Sequence, residues 1–348
     1  MVSLGTVLEN NSNITRRYGS GLVGVFVGGT SGIGELTARA FLRNTDASHA
    51  YIIGRDQTRA SAIIDEVRQI KANSRVTFIK SDVSLLREID DACSVIQQKE
   101  DKVNILFLSP GVGTMNGRTE TDEGLDVKLG LHYYSRMGFV TNLLPQLIMA
   151  DDTNQHNEKA KVQPLSRVIS VLEAGGEAAL RLDDLSLKTN YTLRNCAKHT
   201  ITMNSVSMEH LASQYPQVSF IHSFPGVVRT SLDRHFGTVT KYAFSALLLL
   251  FKPWEIPFKE SGEIHLYAAT SPLFPPKKYQ DSTLDAAEGS EGYKGSGSYR
   301  LNQHGSTYSS SKIMQIYRQD GTRNMIWKHT QDTFAKIFGA QGVAFNRN

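Results

Sequence analysis

Val27-Gly28-Gly29-Thr30-Ser31-Gly32-Ile33-Gly34 is the stretch on which the fold turns. An apolar run, residues 22–27, precedes it, and Leu36, Ala40 and Phe41 follow at helical spacing, so the glycines join a buried strand to a helix. Gly28 permits a tight turn and Gly32 lets the backbone approach a pyrophosphate. Gly34 lets the helix pack closely on the sheet while its first amides face the phosphates. Thr30, Ser31 and Ile33 belong to the same cradle. Glycines alone are a weak signal; their place after a strand, before a helix and at the start of a βαβ unit predicts a dinucleotide site.

The same alternation continues along the chain. Buried strands are expected at 50–53, 76–79, 103–108, 167–171 and 218–222. Helices are expected between them, one carrying Ala60, Ile63, Ile64 and Val67 on one face, one carrying Leu85, Ile89, Ala92 and Ile96, and longer ones at 124–149 and 193–212. This predicts an α/β fold: a Rossmann doubly wound parallel sheet of six to seven strands, with helices on both faces. Residues 298–301 are the candidate seventh strand, and an amphipathic helix at 325–338 closes the chain. Residues 1–20 read as an N-terminal extension and 21–235 as the dinucleotide-binding core. Residues 236–348 read as a substrate lid, a flexible Gly/Ser-rich loop at 285–311 and the final helix of the same domain.

Composition narrows the partners. The 348 residues carry 38 basic and 34 acidic side chains, a net charge of +4 with no concentrated basic stripe, so no nucleic acid is expected. Two cysteines, Cys93 and Cys196, lie within apolar helical patterns, which excludes a disulfide framework and a C-x-x-C metal site. A reducing, cytoplasmic setting follows, and residues 1–20 hold no apolar stretch of signal-peptide length. The longest apolar run, 243–251 (AFSALLLLF), is about half of what a bilayer crossing needs. It suits a substrate pocket, or a peripheral contact with an internal membrane given Lys241, Lys252 and Trp254 beside it.

Twenty-one residues past Gly34, at the end of the second strand, stands Arg55 after Gly54. An acidic residue there would accept from the ribose 2′-hydroxyl of NAD; a forked guanidinium suits a 2′-phosphate and favours NADPH/NADP, unless Arg55 is a solvated loop cation. Asp82, after the third strand, fits two roles equally: the adenine edge, or the N-cap of the next helix.

With Gly54-Arg55, Ser81-Asp82-Val83, residues 121–145 and Pro225-Gly226-Val227-Val228-Arg229-Thr230, the chain resembles a short-chain dehydrogenase/reductase over about residues 22–230. Its wording is most similar to the retinol-dehydrogenase-like branch and to fungal members that accompany secondary-metabolite pathways. The resemblance implies that Val228 and Thr230 hold the nicotinamide carboxamide, that Ser109 and Gly111 border the cofactor, and that helices 124–149 and 193–212 pair in a homodimer.

That family reduces carbonyls with a hydride from the nicotinamide. A tyrosine, acidified by a lysine four residues on, gives the proton; a serine orients the carbonyl and an asparagine holds a water relay. Here His132 stands at the asparagine position, Glu173 at the serine, and Arg194-Asn195-Cys196-Ala197-Lys198 at the Tyr-x-x-x-Lys slot. Only the lysine survives, as a ribose ligand or a surface residue. Tyr308-Ser309-Ser310-Ser311-Lys312 matches the slot but follows the sixth strand, so it is expected to be a coincidence.

Arginine cannot donate a proton near neutral pH, so Arg194 could only clamp an anionic oxygen. His132 is the best surrogate acid, its alternative being a bridge between helices. Tyr133 and Tyr134 cannot share its face, and one of them belongs to the core; Tyr191 and Glu173 could reach the pocket, the glutamate as a base with a raised pKa. The expectation is an NADPH-dependent oxidoreductase acting on a carbonyl or hydroxyl of a bulky apolar small molecule. The alternatives are a non-redox catalyst on the same fold (cyclisation, isomerisation, dehydration) and a non-catalytic nucleotide-binding protein.

Overall fold

The computed structural model describes residues 2–151, 162–228, 255–282 and 285–339. Strands β1 (Val23–Val27), β2 (His49–Gly54), β3 (Arg75–Lys80), β4 (Ile105–Leu108), β5 (Arg167–Val171), β6 (Ser219–Ser223) and β7 (Ser298–Leu301) form one sheet. Every pairing is parallel and the order is β3-β2-β1-β4-β5-β6-β7, the dinucleotide-fold order with its switch point between β1 and β4. Alternate residues feed two cores: Val25, Val27 and Leu106 face one layer, Phe26, Phe107 and Ile169 the other.

One layer holds α1 (Leu4–Ser12), α2 (Ile14–Tyr18), α3 (Gly32–Asn44), α4 (Gln57–Ile70) and α10 (Phe258–Thr270). The other holds α5 (Leu86–Gln97), α6 (Val127–Leu129), α7 (Ser135–Asn142), α8 (Leu144–Met149), α9 (Leu193–Gln214), α11 (Lys312–Gln319) and α12 (Thr322–Phe338). Both cysteines are buried and unpaired. Among the described residues no helix is long and apolar enough to cross a membrane.

Three features differ from the sequence reading. Residues 3–18 are packed helices: Tyr18 donates to the Thr270 carbonyl at 2.6 Å, and Asn10 to Thr270 Oγ1 at 2.9 Å. The helix expected at 124–149 is broken by a π-helical turn, Gly130–Tyr134, and again before Pro145 opens α8. Residues 285–311 are held rather than free: Ser290 is fully buried and donates to Glu209 at 3.0 Å, while Gly295 and Gly297 (φ +69° and +79°) turn the chain against Gln280 and Lys277. The apolar run 243–251 lies outside the described residues.

A buried ionic network fixes the loop after β5 to β6, β7 and α9. Arg300 of β7 pairs with Glu177 at 2.6 Å, side chains 3% and 1% exposed. Glu177 also accepts from the Gly175 amide at 3.1 Å and the Ser205 hydroxyl at 2.6 Å. His222 Nε2 accepts the Glu173 amide at 3.3 Å, so its proton sits on Nδ1, which donates to Ser205 at 2.7 Å. On the opposite flank the Tyr133 hydroxyl joins Ser207 of α9 at 2.8 Å and Thr330 of α12 at 2.5 Å.

Burial, with Arg136 and Arg300 nearby, pulls His222 from 6.5 to about 3 despite Glu177. A histidine kept neutral by folding stabilises fully above 6.5 and loses that contribution as pH falls toward 3, because the unfolded chain takes up the proton first. At pH 5 the loss is about 2 kcal/mol. Denaturant unfolding at pH 7.5 and 5.0 should show that the His222→Gln variant loses less stability on acidification by this amount; an unchanged difference would mean His222 is charged inside the fold. Tyr133→Phe should lower stability by about 1–3 kcal/mol, since two buried hydroxyls lose a partner, and leave nucleotide affinity unaltered.

Candidate active site

The nucleotide cradle forms where β1 meets α3. Gly28 (φ +78°) donates to the Ile53 carbonyl at 2.9 Å and presses against the loop after β4: a Cβ there would lie 3.1 Å from Ser109 Oγ. Gly34 is still tighter, because a Cβ would stand 2.5 Å from Ser109 Oγ and 2.6 Å from the Gly28 carbonyl oxygen. Ser109 itself donates to the Val27 carbonyl at 3.0 Å. Ser31 occupies the N-cap of α3 without a side-chain cap, so its side chain leaves the first-turn amides of Gly32, Ile33 and Gly34 uncapped. These glycines leave space and donors for a pyrophosphate, and the cradle fits a dinucleotide.

Thr30 is buried beside Gly54, where a Cβ would come within 2.9 Å of its hydroxyl. This contact sets Arg55 next to the cradle, 69% exposed, with a guanidinium nitrogen 4.0 Å from Asp82 Oδ2. Asp82 is not the N-cap of α5, whose first amides, Leu86 and Arg87, donate to Glu123; its Oδ1 accepts from the amide and hydroxyl of Ser84 in a local turn, and its Oδ2 faces Arg55. Val228 lies in the loop after β6, which passes Gln303 at Gly226; Thr230 lies outside the described residues.

Arg55 follows β2 and Glu173 follows β5, three strand intervals apart, about 14 Å along the C-terminal edge of the sheet. With the adenosine end at Arg55, the reacting end falls over β4 to β6. There Glu173 is exposed at the lip, yet partial desolvation of its carboxyl, followed by the Glu177 carboxylate, raises its pKa above the ordinary 4.5. Glu177 goes the other way: burial raises it, but Arg300, His222 and the Ser205 hydroxyl hold it below the usual value. The two neighbouring carboxyls are therefore shifted in opposite directions.

The structure corrects two of the acid–base candidates. His132 lies in the π-helical turn, where its Nε2 accepts the Val112 amide at 3.1 Å. Burial, then the charges of Arg136 and Lys128, bring it to about 3. It is a neutral acceptor that pins the Gly111-Val112 loop, not a proton donor. Tyr133 is fully buried, with its hydroxyl turned to Ser207 and Thr330; burial lifts its pKa to about 12, and it does not reach the cleft. Tyr134 is core as well, bonded to His329 at 2.8 Å.

Arg194 is exposed in the first turn of α9. Lys198 is half-buried, seven residues before Ser205, thus on the same face within about 20° and about 10 Å nearer the helix N-terminus. Ser205 points to His222 and Glu177, so Lys198 overhangs the C-terminal edge of the sheet. Arg136 has no counterpart in the sequence reading. It is fully buried and donates to Ser170 Oγ (2.6 Å) and to the carbonyls of Val171 (2.8 Å) and Pro110 (2.7 Å), which ties the ends of β4 and β5 together. Asn204, bonded to Ser170 at 3.0 Å, takes the His132 carbonyl at 2.7 Å.

Comparison with known proteins follows this geometry. The short chain dehydrogenase family model matches residues 23–148, which hold the cradle, Arg55, Asp82 and His132. Oxidoreductase AN1596 of Emericella nidulans is 41% identical over 339 residues, 95% of this chain and 97% of that protein. Oxidoreductase andH of Emericella variicolor is 35% identical over 350 residues, 98% and 99% of the two chains. Among solved structures, the RhlG/NADP active-site complex of Pseudomonas aeruginosa aligns at a TM-score of 0.55 and 15% identity, over 83% of this chain and 97% of that one. That likeness is one of fold. The chain belongs to the short-chain dehydrogenase/reductase family of oxidoreductases, as a divergent member related to fungal proteins.

Proposed function

We propose that the chain is an NADPH-dependent oxidoreductase acting on the carbonyl or hydroxyl of a bulky apolar small molecule in fungal secondary metabolism. The observation that carries this reading is the glycine cradle with Arg55 beside it, an exposed guanidinium next to Gly54 and Thr30. The RhlG complex holds NADP in a related fold, and the named relatives are fungal oxidoreductases. The apolar character of the substrate rests on the sequence of residues 243–251, which lie outside the described residues.

When bound, NADPH supplies a hydride to the carbonyl carbon. The amides of Gly32 to Gly34 and the Arg55 guanidinium would hold its phosphates, and Lys198 would bind the nicotinamide ribose. The Glu173 carboxyl gives its proton to the carbonyl oxygen and regains one from water, so aldehyde or ketone becomes alcohol. A second reading, proton transfer without net redox change, is favoured by one observation: a carboxyl stands where the family has a serine. Product formation without NADPH consumption would single it out.

Fluorescence titration with NADPH and NADH should show tighter NADPH binding, with Arg55→Ala reducing the preference by about tenfold or more. Equal binding of both nucleotides by the native chain would remove the 2′-phosphate role. With a panel of bulky ketones, benzophenone and 9,10-phenanthrenequinone among them, reduction needs Glu173 protonated. The rate should therefore fall as pH rises through its raised pKa. Glu173→Gln should lose that limb and about 10²-fold or more of the rate; an intact limb in the variant would assign the proton to another group.

A further inference from the structure

Tyr308 was set aside in the sequence because it follows the sixth strand, yet the fold brings it back. Past β7 the chain doubles on itself: Leu301 bridges to Thr307, and the Tyr308 amide donates to the Arg300 carbonyl at 2.8 Å. The ring then lies on Gly175, in the loop after β5. A Cβ at Gly175 would come within 2.8 Å of Cζ and 2.9 and 3.0 Å of the two Cε atoms, so it is the hydroxyl end of the ring that rests there. Gly175 has φ +94°, which also reserves the position for glycine. The phenol thus lies against a residue two places along the chain from Glu173.

Its hydroxyl differs from those of the core. Tyr18, Tyr51, Tyr133, Tyr134 and Tyr299 each bond a protein group, whereas the Tyr308 hydroxyl bonds no described residue, and the side chain is half-buried. The charges facing it are Glu177, Arg300 and Glu173. Burial and the two carboxylates raise its pKa against Arg300, so it remains a phenol with a proton to donate. Lys312 is no partner of the family type. It is exposed, and Tyr308 precedes the N-cap of α11, so the four-residue spacing is not a helical turn.

We propose that Tyr308 binds substrate, its phenol donating the hydrogen bond that orients the carbonyl oxygen toward the Glu173 carboxyl. This rests on the oxidoreductase reading and divides the roles differently from the family pattern: the tyrosine orients and the carboxyl transfers the proton. In the reduction the hydride of NADPH goes to the carbonyl carbon, the Glu173 proton to the oxygen, and the phenol keeps its own proton throughout.

Tyr308→Phe retains the ring on Gly175 and removes only the donor. It should lower kcat/KM for the panel ketones by about 10²-fold, as loss of one donor to a developing oxyanion does, with NADPH affinity and Tm unchanged. Its pH profile should keep the limb that Glu173→Gln loses. The infrared stretch of the best panel ketone, ¹³C-labelled at the carbonyl and bound to the NADP complex, should move to higher frequency in the variant. Equal kcat/KM or an unmoved stretch would overturn the proposal while the nucleotide titration leaves the oxidoreductase reading standing. Wild-type protein that binds NADPH but neither binds nor reduces any panel ketone would overturn both.

Discussion

A single missing side chain governs the architecture: any Cβ at position 34 would collide with Ser109 Oγ and the Gly28 carbonyl. Because it is absent, α3 can press its first turn onto the switch point between β1 and β4. The same economy recurs one layer out, where a Cβ at Gly262 would lie 2.7 Å from the Leu36 carbonyl, so α10 packs against α3 at backbone distance. Tyr18 and Asn10 then clip α1 and α2 onto α10. The helical layer is stacked outward from one glycine turn, and the turn is also the phosphate cradle. Stability and nucleotide recognition are therefore bound to the same few backbone atoms.

The reacting end is built by charge rather than by close approach. Arg136 lies fully buried among neutral oxygens and Arg300 lies buried on a carboxylate, and together they decide which neighbours stay ionised. Burial above all, with Arg136 adding to it, depresses His132 and His222 and keeps both imidazoles neutral. Arg300 holds Glu177 as a carboxylate, and that fixed charge adds to burial in raising Glu173. Where the family has its tyrosine and serine, this edge of the sheet carries a different electrostatic arrangement.

The strands and the cradle were legible because their signals are local. Continuous apolar runs at 50–53 and 105–108 and glycines at fixed spacing need no knowledge of the rest of the chain. Helix α10 was not legible: Ser261, Gly262, His265 and Thr270 are buried there by specific contacts, which erases the amphipathic period. Arg136, Glu177 and Arg300 escaped for a related reason, since charged residues read as surface unless their partners are known. His132 was found at the right place and given the wrong task, because protonation depends on Arg136 one turn away and on the Val112 amide, neither of which a motif encodes. Tyr308 was set aside by chain order, which the reversal after β7 makes irrelevant to distance.

The pairing of Glu177 with Arg300 spans 123 residues of chain. During synthesis the strands around the cradle, β1 to β4, are complete when Leu108 has emerged, so the nucleotide half can assemble early. The acid–base half cannot, because until β7 leaves the ribosome Glu177 has no cation to accompany it into the interior. The nascent chain thus has all the strands around the cradle before β7 supplies the cation that lets the Glu177 carboxylate lie buried.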